Sequence, residues 1–161
     1  MAALIREIPG PGQESVWDYP RPPRVEPVRQ RIRITLDGRV VAETTDAVRV
    51  LETSHPPVYY LPRSAFAEGV LAPAEGSSVC EYKGQARYLS VGSAHRAAWF
   101  YPEPNPGYEA LRDRVAVYPS AMDACEVGDE LVTPQEGDFY GGWITSAVVG
   151  PFKGAPGTWG W

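Results

Sequence analysis

The chain has 161 residues, 43% hydrophobic and 22% charged, with a formal net charge of −5. That is enough apolar material for one ordinary domain, and it excludes a disordered tail. The acidic balance argues against a general nucleic-acid binder, which usually carries a basic excess.

Pro (17) and Gly (16) are spread along the chain as punctuation between short runs, a pattern of an all-β or β-rich fold with many turns. The start, from Met1 to Glu7, lacks the basic and apolar regions of a secretory signal. No stretch approaches the ~20 apolar residues of a membrane-spanning helix. The chain therefore reads as soluble and cytoplasmic.

Residues 1–28 hold six of the prolines. Pro20, Pro22, Pro23 and Pro27 forbid a helix and predict an extended arm carrying Trp17 and Tyr19. Residues 29–161 are read as one domain. Arg21, Arg24, Arg29, Arg31, Arg33 and Arg39 form a local basic strip, read either as a contact for an anionic partner or as solvated surface. From Gln30, Ile32, Ile34 and Leu36 alternate with Arg31, Arg33 and Thr35, as in a half-buried strand. Asp37-Gly38 predicts a hairpin turn, and Arg39 to Glu43 returns. In the next run, Ala47 to Glu52, the residues Val48, Val50 and Glu52 share one parity. If the valines face inward, Glu52 does too, and an inward carboxylate needs a partner.

Val58 to Leu61 predicts a short strand stopped by Pro62. Residues 63–77 read as loop with one helical turn near Ser64-Ala65-Phe66. Val79–Tyr82 and Gln85–Val91 predict strands bent at Lys83-Gly84, where glycine permits a tight backbone. His95 reads as a hairpin-turn residue, and Arg96 to Tyr101 as another strand. The one helix expected is short, from Pro106 to Asp113, with Asn105 as its cap. Val115–Tyr118, Ala124–Val127 and Glu130–Val132 predict short strands, the last pair turned at Gly128-Asp129. The tail, 137–161, has seven glycines and three tryptophans. It is expected to wrap the sheet, cover a pocket or form a subunit contact.

Three ordered runs resemble the motif blocks of a known family. They are Leu51-Glu52-Thr53-Ser54-His55-Pro56-Pro57-Val58-Tyr59-Tyr60-Leu61-Pro62, Cys80-Glu81-Tyr82-Lys83-Gly84-Gln85-Ala86-Arg87-Tyr88 and Ala98-Trp99-Phe100-Tyr101-Pro102-Glu103-Pro104. The family is the domain of unknown function 427. The ending, from Tyr140-Gly141-Gly142-Trp143 to Gly157-Thr158-Trp159-Gly160-Trp161, resembles its actinobacterial members. The resemblance implies a compact all-β single domain similar to the β-tent fold of Mss4-like proteins and methionine sulfoxide reductase B. It also brings a nucleotidyltransferase label. The sequence lacks the Gly-Ser and paired aspartates of metal-dependent nucleotidyl transfer, and Lys83, followed by Gly84-Gln85-Ala86, is not in the Lys-x-Asp-Gly context of covalent nucleotidyl transfer.

Two cysteines, Cys80 and Cys125, and two histidines without close pairing give no zinc signature, and no cofactor is specified. The candidate catalytic residues are Glu52, Lys83 and Cys80. Lys83, matching the family's Lys-Gly dipeptide, reads as an anion-binding or nucleophilic lysine, or as an exposed turn lysine. Glu52 reads as its counter-ion or as a general base. Cys80 reads as a nucleophile or as a small buried hydrophobe. The candidate ligand-binding residues are Tyr60, Tyr88, Trp99 and Tyr101, an aromatic wall or plain core, together with His55. The resulting expectation is a pocket for a small planar polar or anionic ligand, with or without a group-transfer activity. The alternative is a non-catalytic interaction module, homodimeric through its arm and tail. A third reading, thiol redox chemistry, rests on Cys80.

Overall fold

The computed structural model describes residues 4–137 and 139–161. Met1–Ala3 of the arm and Asp138 of the tail lie outside the described residues. The strands in chain order are β1 (Glu14–Ser15), β2 (Arg24–Val28), β3 (Ile32–Leu36), β4 (Arg39–Thr44) and β5 (Ala47–Leu51). There follow β6 (Val58–Pro62), β7 (Leu71–Cys80), β8 (Gly84–Val91), β9 (Ala94–Phe100) and β10 (Arg114–Val117). The last are β11 (Ala124–Val127), β12 (Glu130–Leu131), β13 (Thr133–Pro134), β14 (Trp143–Ile144) and β15 (Val148–Val149).

A seven-stranded sheet runs β2-β5-β6-β10-β9-β8-β7, and a four-stranded sheet runs β12-β11-β3-β4. All of their pairings are antiparallel. The predicted β3–β4 hairpin forms because Asp37 and Gly38 both take positive φ, 54° and 76°, which matches the right-handed twist of the strands they join.

The larger sheet is buried on both faces. Ala47, Tyr59, Leu61, Val115 and Val117 join Ile32, Ile34 and Val127 of the smaller sheet in the main core. Val48, Val50, Tyr60, Trp99 and Ala116 form a second cluster on the opposite face. Alternation along β10 divides the work: Val115 and Val117 face one way, Ala116 the other.

The fold is all-β, and several segments differ from the sequence reading. Arg24–Val28, assigned to the arm, is an edge strand of the larger sheet, paired with β5. Residues 71–77, read as loop, are the first part of β7. Pro73, Gly76 and the small residues around them hide the strand, and the β7–β8 register shifts between Pro73 and Ser77. Proline is tolerated there because β7 is an edge.

The expected helix is a single 3-10 turn, Glu109–Leu111. Asn105 does not cap it. Its side-chain Nδ2 donates to the Tyr82 carbonyl (3.1 Å) and its backbone N–H to the Lys83 carbonyl (2.9 Å). His95 lies within β9, just past the Gly92-Ser93 turn, against Glu75 at 2.8 Å.

Arm and tail bind each other. β1 runs parallel to β15, pairing Glu14 with Val148. Trp17 donates its indole N–H to the Pro151 carbonyl (2.9 Å) and meets Trp161 edge-on at 5.6 Å. Trp159 stays 80% exposed.

Candidate functional site

On the second face of the larger sheet lies a cavity of about 310 Å³. All eight residues singled out in the sequence line it: Glu52, His55, Tyr60, Cys80, Lys83, Tyr88, Trp99 and Tyr101. The sheet supplies the floor. Tyr60 from β6 is fully buried and accepts a hydrogen bond from the Trp99 indole N–H of β9 (3.2 Å). Their rings are perpendicular at 6.2 Å, and Tyr101 lies 6.3 Å from Tyr60. Burial lifts the phenols of Tyr60 and Tyr101 above the ordinary tyrosine range, so both are neutral hydroxyls in neutral water.

Lys83 enters from the turn that joins β7 to β8. Gly84 makes the turn possible, with φ at 118°, a conformation that side chains disfavour. A methyl group there would also press on the Glu103 carbonyl at 3.3 Å. The two Asn105 hydrogen bonds hold the turn from below. The Lys83 ammonium lies over the Tyr101 ring, 5.9 Å from its centroid. Burial works against its charge, but Tyr60, Cys80 and Glu52 outweigh burial and hold its pKa above the ordinary value. Lys83 is therefore a cation at neutral pH rather than a free amine nucleophile.

Parity places Glu52 as the sequence predicts: Val50 and Glu52 both line the cavity. Its partner differs from the expectation. Glu52 Oε2 pairs with Arg21 Nε at 3.3 Å, and Arg21 also donates to the Thr53 carbonyl (2.9 Å). Lys83 is not among the ion-pair partners of Glu52 in the described residues. The arm thus reaches across and takes the carboxylate the sheet presents.

His55 is set by a bend at Ser54, whose φ is 73°. The Ser54 N–H donates to the Val16 carbonyl (3.0 Å), and its carbonyl accepts from the Lys153 N–H (2.9 Å). Arm and tail therefore clamp this loop from both sides. The His55 ring meets Tyr140 edge-on at 4.9 Å, with Nε2 3.8 Å from Glu52. Burial, reinforced by Lys153, Arg21 and Lys83, lowers its pKa to about 3. It is a neutral imidazole at physiological pH, able to accept or donate one hydrogen bond at each nitrogen.

Sequence reasoning missed the far wall: Tyr118, Gln135, Phe139, Tyr140, Gly141 and Lys153. Tyr118 could have been found by parity, since it follows Ala116 on the cavity side. The others sit in coil, where no periodicity points. Gly141 is there because nothing larger fits. A Cβ would stand 2.4 Å from the Trp99 ring, itself 4.7 Å from the ring of Tyr118. Gly141→Ala is expected to destabilise the fold by about 1–3 kcal/mol and to shift tryptophan fluorescence, while an unchanged melting temperature would mean that the tail does not pack this closely.

Cys80 ends β7 beside Lys83, whereas Cys125 is buried in the other sheet. Burial and the neighbouring Glu126 push the Cys125 thiol up to about 12, so it is inert as a thiolate. Among the described residues no three His, Cys, Asp or Glu side chains converge as metal ligands.

No curated protein matches the chain. The model of the family described as a domain of unknown function, DUF427, which bears a nucleotidyltransferase name, matches residues 24–128. That span contains β2 to β11 and the Lys83 turn, while Tyr140, Gly141 and Lys153 fall beyond it. The chain belongs to this DUF427 family.

Proposed function

We propose that the cavity binds a small planar ligand carrying negative charge. The observation that carries this reading is the placing of the Lys83 ammonium at a wall of Tyr60, Tyr88, Trp99 and Tyr101, with no carboxylate paired to it among the described residues. A flat ring stacks on such a wall. A half-buried ammonium without a carboxylate gains most from an anion. The volume is near the lower end of ligand pockets, about 300–1,000 Å³, which favours one or two rings over an extended chain. His55, kept neutral, offers an acceptor for a ligand N–H or O–H. Glu52, neutralised by Arg21, frames the site without repelling an anion strongly.

Within this reading, in a group-transfer reaction in keeping with the family name, His55 would orient the attacking group as a hydrogen-bond acceptor rather than take its proton, and Lys83 would balance charge on the transferred group and on the oxygen that leaves it. A thermal-shift comparison tests the binding claim. Nucleoside monophosphates and aromatic carboxylates are expected to raise the melting temperature of the wild type, with little effect from their neutral counterparts. Lys83→Met is expected to remove most of that response, and Glu52→Gln to alter it less. Equal shifts from neutral and anionic rings would overturn the proposal.

A further inference from the structure

We propose that Lys153 reads a second negative charge on the ligand, so that the preferred ligand is a planar dianion selected by the segment beyond residue 128. The inference rests on the ligand-binding reading above and adds the charge state and the residue that sets it. Two ammoniums line the same cavity from unrelated parts of the chain, Lys83 from the β7–β8 turn and Lys153 from the coil after β15. Neither forms an ion pair among the described residues. Each instead lies over a tyrosine ring of the wall, Lys83 over Tyr101 at 5.9 Å and Lys153 over Tyr140 at 5.6 Å.

A ring face stabilises a cation but accepts no conventional hydrogen bond from most of its N–H groups. Both lysines therefore keep donors to offer a ligand. The carboxylates on the lining do not pair with them: Glu52, whose field reaches Lys83, makes its ion pair with Arg21, and Glu81 is exposed. His55 feels the field of Lys153, Arg21 and Lys83, and as a neutral ring it adds no charge of its own to the space that the two lysines line. A ligand with one negative charge satisfies one lysine. A second charge satisfies the other, either on the same group, as in a phosphate monoester, or at the far end of the ring, as in a dicarboxylate.

The position of Lys153 is fixed by backbone rather than by its side chain. Its N–H donates to Ser54, and its carbonyl accepts from Gln135 Nε2 at 2.6 Å. Gln135 Oε1 in turn accepts from the Gly142 N–H (3.1 Å). A change at the side chain therefore leaves these anchors in place.

Calorimetric titration of the full chain at pH 7.5 with benzoate, terephthalate and phenyl phosphate separates the possibilities. Phosphate monoesters are largely dianionic at that pH. The wild type is expected to bind at least one dianion about tenfold more tightly than benzoate. The winner shows whether the two charges share one group or lie at opposite ends. Lys153→Met is expected to reduce the preference to about twofold or less while keeping benzoate affinity, and Lys153→Arg to retain it. Lys83→Met is expected to weaken all three probes. Circular dichroism melts of each variant confirm that the fold is kept, and Lys153→Gln serves if the methionine variant melts early. A dianion preference that survives Lys153→Met, or is absent from the wild type, overturns the inference and leaves the pocket reading standing. Failure of all three probes to bind the wild type overturns both.

Discussion

Trp143→Ala is expected to lower stability by about 3–5 kcal/mol, a large share of the 5–15 kcal/mol of a typical domain. Trp143 is fully buried in the main core and stacks at 4.9 Å on Tyr59. Its backbone N–H donates to the Pro57 carbonyl (2.8 Å), and its indole N–H points to the Val117 carbonyl at 3.5 Å. Truncation removes the ring from sheet residues that cannot collapse into the space. It also loosens the tail at the point where it enters the core, two residues after Gly141 of the cavity wall. Urea unfolding measures the loss, and limited proteolysis of the tail reports the loosening. Trp143→Phe, which keeps most of the apolar volume, is expected to cost less than half as much. A loss below about 1 kcal/mol for the alanine variant would show that the tail is not anchored through this side chain.

The pH dependence of stability should carry the signature of His55. Its folded pKa of about 3 lies below the ordinary 6.5. The unfolded chain therefore binds a proton as pH falls through 6.5, and the folded protein resists until near 3. Above pH 6.5 both states are neutral and the residue contributes no pH dependence. Between those values each pH unit removes up to about 1.4 kcal/mol, and the full window corresponds to roughly 5 kcal/mol, an upper figure. His55→Gln is expected to flatten this part of the profile, so that the variant overtakes the wild type on acidification. Denaturant titrations of both proteins at pH 7.5, 6, 5 and 4 give the comparison. Parallel curves would mean that His55 protonates freely in the folded state and that the arm and tail do not enclose it. The same burial that makes the residue costly in acid keeps it neutral at pH 7, where the proposed site needs a hydrogen-bonding imidazole rather than another cation.

Both outcomes depend on the tail, to which the sequence reading assigned a covering or contact role but no candidate side chain. Where local rules dominate, the sequence was readable. Alternation marked β3, Asp-Gly marked its turn, and the shared parity of Val48, Val50 and Glu52 placed a carboxylate on the face that lines the cavity. The family blocks brought together eight side chains that line one cavity. Where propensity is weak, the sequence misleads: Pro73 and Gly76 conceal an edge strand, and Asn105, placed like a helix cap, supports the Lys83 turn instead.

The amino-acid sequence by itself determined the all-β class, because side-chain parity and turn chemistry act within a few residues, and its motif blocks carried the family and eight side chains of the candidate site. Tertiary structure decided the other half. Arg21 reaches Glu52 across 31 positions, and Lys153 reaches the cavity from a coil without periodicity. Such meetings depend on the pairing of arm with tail, a contact between distant segments whose cost and reward are set only when the whole chain is folded.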